Sequence, residues 1–179
     1  AALERLKRRE EGIALIENMP RTRDVRYDVY LWLAQAYLDE KRYDACIELL
    51  NEARFSNWEG QTRPRDIFVA ALMARGRQAF DQEDFEAARA DFDRALTFPE
   101  NLEVGAFYEL TDAETRYWYG KTLLALGEPD AARDMWTIGA KQRTSKDPKM
   151  PFIRITPEQD AHVEKCRTAL ELLDAAPSP

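Results

Sequence analysis

The chain holds one histidine, His162, and no HExxH, CxxC or glycine-rich phosphate loop. Zinc-dependent hydrolysis and nucleotide chemistry need those residue types at those spacings, so the sequence predicts neither a metal site nor a bound cofactor. Cysteine is equally scarce. Cys46 and Cys166 lie far apart, which is no disulfide framework, and two reduced thiols suit the cytosol. No apolar run approaches the roughly 18 to 20 residues that span a bilayer. Basic excess is missing too. The net charge of −7 argues against a nucleic-acid partner and against adhesion to anionic membranes. A signal-peptide pattern is absent, and the expected location is cytoplasmic. The chain opens Ala1-Ala2 without methionine, which leaves open whether it is a piece of something longer.

What is present is a spacing that recurs three times. Cys46-x3-Leu50-x2-Ala53 is followed by Ala88-x3-Phe92-x2-Ala95 and Ala132-x3-Trp136-x2-Gly139. Each block runs small, large, small at helical intervals. Upstream of each lies a second helical block: Tyr30-x2-Leu33-Ala34-x2-Tyr37, Leu72-x3-Gly76-x2-Ala79, and Tyr119-Gly120-x2-Leu123. Two helices per unit, repeated, is the signature of a solenoid. The predicted fold is therefore all-α: a right-handed α-α superhelix of three helix pairs with flanking N- and C-terminal helices, in one domain spanning 1–179.

Periodicity and breakers place these elements. An N-terminal helix occupies 1–20 and is ended by Met19-Pro20. Residues 1–26 carry seven Lys/Arg against five Asp/Glu, and this mildly basic stretch reads as a solvated face. Repeat 1 spans 24–54, repeat 2 spans 64–99 and repeat 3 spans 111–143. Thr111-x-x-Glu114 has the form of a capping box, and Gly127 that of a C-terminal cap. A capping helix covers 157–175, and the tail beyond it is expected to be disordered.

Over roughly residues 24–143 this pattern resembles the tetratricopeptide repeat (TPR) family. The small residues Ala34, Gly76 and Gly120 let the second helix of each pair approach, with Cys46, Ala88 and Ala132 facing them. Leu50, Phe92 and Trp136 fill the space between neighbouring pairs. The anchors recur at 42 and 44 residues instead of the usual 34. The extra length falls in two links, Phe55–Thr62 and Pro99–Tyr108. Phe55-x-x-Trp58-Glu59-Gly60 and Pro99-Glu100-Asn101-Leu102-x-Val104-Gly105 are more narrowly similar to the C-terminal TPR tract of large bacterial proteins. Those proteins carry a mutarotase-like β-sandwich of unknown function.

The resemblance implies a non-catalytic protein-interaction scaffold that binds protein or peptide, with the first helix of each pair lining a concave groove. The register places Leu31, Met73 and Tyr117 in one column of that groove. Gln35, Arg77 and Lys121 share the next, and Phe80 belongs to a third. The donor-rich column suits a carboxylate or a phosphorylated peptide. A second candidate site is the edge formed by the long links, with Trp58, Glu59, Glu100, Asn101, Leu102 and Phe107. On the alternative reading these residues fold back over the repeat edges. Other partners considered are the chain's own missing N-terminal domain, as in a module of a larger carbohydrate-associated protein, and a second copy of the chain. A remote alternative is a helical glycosidase, for which Glu59 and Glu100 are the one nameable carboxylate pair. Eight helices are too few to close such a barrel, so no catalytic residue is assigned. His162, alone on the last helix, is expected to face solvent.

Overall fold

In a computed structural model of the protein, residues 2–19, 27–55, 61–105, 111–146 and 155–175 are described. Among them all regular structure is helical. The helices are α1 (Ala2–Glu17), α2 (Tyr27–Asp39), α3 (Tyr43–Glu52), α4 (Arg63–Asp81), α5 (Phe85–Ala95), α6 (Ala113–Ala125), α7 (Pro129–Ala140) and α8 (Pro157–Ala175). A single 3-10 turn, Glu100–Leu102, lies between α5 and α6. No described helix is long and apolar enough to cross a membrane.

The predicted pairs α2–α3, α4–α5 and α6–α7 share one turn, built the same way three times. Lys41, Glu83 and Gly127 adopt positive φ of 59°, 61° and 80°. The next residue in each turn donates its backbone N–H back into the first helix: Arg42 to Tyr37 O at 2.8 Å, Asp84 to Ala79 O at 2.9 Å and Glu128 to Leu123 O at 2.9 Å. These are Schellman closures, which satisfy carbonyls the helix end would otherwise leave unpaired. Only the third uses the glycine that the left-handed conformation favours. The second helix then starts at once, with Cys46, Ala88 and Ala132 donating to Arg42, Asp84 and Glu128 carbonyls at 3.0 Å each.

The chain forms two compact units. The first comprises residues 1–71 with 98–105. Its core holds Leu33, Ala34, Tyr37, Cys46, Ile47 and Leu50, all below 7% exposed. The Cys46 thiol donates to Ala34 O at 3.3 Å, so the small residue expected at this position also closes a hydrogen bond. Helix α1 is held to α2 through polar contacts. Arg9 donates to Asp39 at 2.7 Å and to Ala36 O at 3.2 Å. The Tyr37 hydroxyl and Arg42 both donate to Glu17, at 2.7 and 2.8 Å.

The second unit comprises residues 72–97 with 106–179. Leu72, Ala88, Phe92, Ala132 and Val163 are fully buried in it. A Cβ on Gly76 would come within 2.8 Å of the Phe92 ring, and one on Gly120 within 2.3 Å of Trp136 Nε1. These glycines are the close-approach positions that the spacing predicts. Asp91 is buried beneath Arg75, which clamps it with two hydrogen bonds of 2.8 and 2.5 Å.

The start of α6 differs from expectation. Its cap is Asp112, not Thr111, and no side chain closes it. The Asp112 carboxylate is drawn sideways instead. It accepts from Arg116 at 2.8 and 3.2 Å and from Gln142, whose own carbonyl accepts from Gln159 at 2.9 Å. A buried polar chain linking α6, α7 and α8 has displaced the capping box. The expected tail 176–179 lies outside the described residues.

Candidate partner-binding site

The expected groove columns draw on both units, and each part is described within its own. In the second unit, α4 contributes Arg77 and Phe80, α6 contributes Glu114, Tyr117, Trp118 and Lys121, and α8 contributes His162 and Lys165. Residues three and four apart on a helix share a face, which brings Arg77 beside Phe80 and stacks Glu114, Tyr117, Trp118 and Lys121.

Phe80 anchors the aromatic part. Its centroid lies 5.3 Å from Phe85 and 5.6 Å from Trp118, edge to face in both cases. Tyr117 meets Trp118 at 5.8 Å. Over these rings sits the Lys121 ammonium, 4.6 Å from the Trp118 centroid, 4.8 Å from Phe80 and 5.9 Å from Tyr117. Lys165 stands 5.6 Å from Tyr117. The quadrupole of each ring attracts the cations, so ring and charge hold one another in place.

Arg77 is placed differently. Its guanidinium lies 6.0 Å from the Trp118 ring and donates to Glu114 at 3.0 Å. Of the predicted donors it is therefore already satisfied, whereas Lys121 has no carboxylate partner among the described residues. Glu114 also stands 3.9 Å from His162 Nε2. The His162 side chain is only 13% exposed, which corrects the expectation of a solvent-facing residue. Its Nδ1 bonds Glu158 O at 2.8 Å and its Nε2 bonds Lys165 Nζ at 3.3 Å. A carbonyl can only accept, so Nδ1 donates to Glu158 O.

Two groove residues are withdrawn from the surface. Leu31 is 7% and Met73 is 5% exposed, so each packs its own unit's core and presents little to a ligand. Gln35, in the first unit, gives its amide to Asp39 at 2.8 Å. Trp118 and Lys165 join the shelf although neither stands in a predicted groove column. Trp118 was legible, since it stands four residues after Glu114 and three before Lys121. Lys165 was not, because only the packing of α8 on α6 brings it there.

The edge loops fall in part among the described residues. Trp58, Glu59 and Phe107 lie outside the described residues. Glu100 is exposed, and Leu102 is fully buried. The Asn101 amide donates to Leu50 O at 2.7 Å and to Ala53 O at 2.8 Å, while Asn101 O accepts from Phe55 N–H at 3.0 Å. Asn101 thus caps the C-terminus of α3 from about fifty positions away in the chain. Leu102 and the Asn101 amide serve the fold at this edge.

Neither a curated protein nor a solved structure matches the chain, and no match supports the narrower likeness to mutarotase-linked proteins. Residues 27–53, which hold α2, its turn and α3, match the tetratricopeptide repeat family, so this helix pair is related to that family.

Proposed function

We propose that the protein is a non-catalytic interaction scaffold, and that the shelf of Phe80, Tyr117, Trp118 and Lys121 binds a peptide segment carrying acidic and apolar residues. The observation that carries this reading is Lys121, held over three rings with no carboxylate partner among the described residues. A carboxylate arriving at the shelf meets a positioned ammonium, so little side-chain entropy remains to be lost on binding. Apolar residues beside that carboxylate would cover the ring edges. Arg77 and Lys165 supply further positive charge, although Arg77 must share itself with Glu114. Repeats of this family are generally protein-binding surfaces, in keeping with this assignment.

Calorimetric titration with a short peptide of alternating Glu and Leu, against its Lys–Leu counterpart, tests the proposal. The acidic peptide should bind and the basic one should not. Lys121→Glu should weaken binding by about tenfold or more, and Lys121→Arg should retain most of it. Equal affinity for both peptides, or an unaffected Lys121→Glu variant, would remove the shelf as the site.

A further inference from the structure

The first unit contains a separate cavity of about 450 Å³, lined by Arg8, Arg9, Trp32, Gln35, Asp39 and Arg63. Its volume falls in the range typical of small-ligand sites, about 300–1,000 Å³. The Trp32 indole is 44% exposed, which is unusual for so large an apolar side chain. Its inner edge rests on α1 at Gly12, where an added Cβ would lie 3.1 Å from the ring. The glycine admits the ring against α1, and much of the indole stays open to the cavity.

The charges around this ring are unbalanced. Arg9 is committed to Asp39 and to Ala36 O. Glu40, 3.7 Å from Arg9 Nε, is shared with Arg42 and does not line the cavity. Arg8 and Arg63 have no carboxylate partner among the described residues. Three guanidiniums therefore face one carboxylate, leaving two positive charges in excess beside an open aromatic ring. Guanidinium forks match the paired oxygens of phosphate and carboxylate. A dianion balances this excess where a single carboxylate does not. We infer that the cavity binds a phosphate monoester carried on a flat ring, its phosphate held by Arg8 and Arg63 and its ring lying on Trp32. The ligand's source is either a free small molecule of nucleoside-monophosphate type or a phosphorylated tyrosine side chain, both of which present this chemistry. The cavity shares no residue with the shelf, so the inference stands apart from the proposed function.

The test is titration of the full chain with phenyl phosphate, followed by calorimetry and by ³¹P resonance shifts. Saturable binding is expected, and it should weaken from pH 7 to pH 5 as the monoester loses its second charge near pH 6. Phenyl sulfate, a monoanion throughout, should bind at least about tenfold more weakly at pH 7. Arg8→Glu and Arg63→Glu should each reduce affinity about tenfold or more, with the helical circular dichroism unchanged because both side chains are exposed. Trp32→Ala should weaken phenyl phosphate but leave inorganic phosphate alone. Tighter binding of adenosine monophosphate than of a phosphotyrosyl peptide would mark a free ligand, and the reverse order a modified partner. Either order supports the site. Absence of saturation, equal binding of phenyl sulfate, or indifference to both charge reversals would overturn it.

Discussion

Trp136 occupies the volume that a side chain at residue 120 would need. Its Nε1 lies 2.3 Å from the position of a Cβ on Gly120 and donates to the Tyr117 carbonyl at 3.1 Å. The indole is therefore pinned from two directions by one turn of α6. Gly120→Ala would gain about 1 kcal/mol of helix propensity, yet the overpacked ring should cost about 1–3 kcal/mol and break the indole hydrogen bond as well. A net loss of stability is expected, read as a lower urea midpoint with an unchanged slope. Trp136→Phe should relieve part of the clash, so the double variant should be less impaired than additivity predicts.

Removal of the remote cap should be felt at α3. Asn101→Ala leaves the Leu50 and Ala53 carbonyls without their donor. A loss of about 1–2 kcal/mol is expected. Asn101→Asp should be worse, since it sets a carboxylate against carbonyls at the negative end of a helix. Amide exchange confined to α3 and Phe55 would locate the effect, and a uniform change across the chain would contradict it.

Much of this architecture was legible because it is local. Small–large–small spacing reports which residues must be buried, and Leu50, Phe92 and Trp136 all are. Phe92 and Trp136 pack on Gly76 and Gly120 of their own pairs, however, whereas the spacing sets them between neighbouring pairs. The turn after α6 was legible in Gly127. The equivalent turns were less plain, because Lys41 and Glu83 adopt positive φ without being glycine. Site residues were harder. Helical register distinguishes faces but not depth, so Leu31 and Met73 read as groove and lie in the core. Leu102 is buried, as the reading in which the link folds back over the repeat edge expects. The role of Asn101 was not legible, because nothing in a sequence announces a hydrogen bond across fifty residues.

Acid should loosen α1 before the core. Hydrogen bonds from Tyr37 and Arg42 hold the Glu17 carboxyl below its usual value, and Arg9 does the same for Asp39. Groups depressed by folding stabilise the native state above their unfolded pKa, and that contribution fades as pH falls through the folded value. The attachment of α1 to α2 should thus be complete near neutrality and weaken below about pH 4. Amide exchange in α1 should accelerate there ahead of that in α5 to α7.

The thiols should behave oppositely. Burial pushes Cys46 and Cys166 up to about 12, so folding favours the protonated forms. Their contribution is intact below the ordinary thiol range and declines as pH climbs through about 9 towards the folded value. Iodoacetamide at neutral pH should leave both cysteines unmodified in the native protein and label both in denaturant. Rapid native labelling of either would contradict its placement.

The distance between Asn101 and α3 also has a meaning in time. Each helix pair closes over a few residues, so it can form as soon as its second helix leaves the ribosome. Helix α3 is the exception, because the amide that covers its last carbonyls arrives 48 to 51 residues later. At about 5–20 residues per second, the end of α3 waits about 2 to 10 seconds for its cap. During that interval the nascent chain exposes an unfinished helix end, the point at which a chaperone or a protease would first find it.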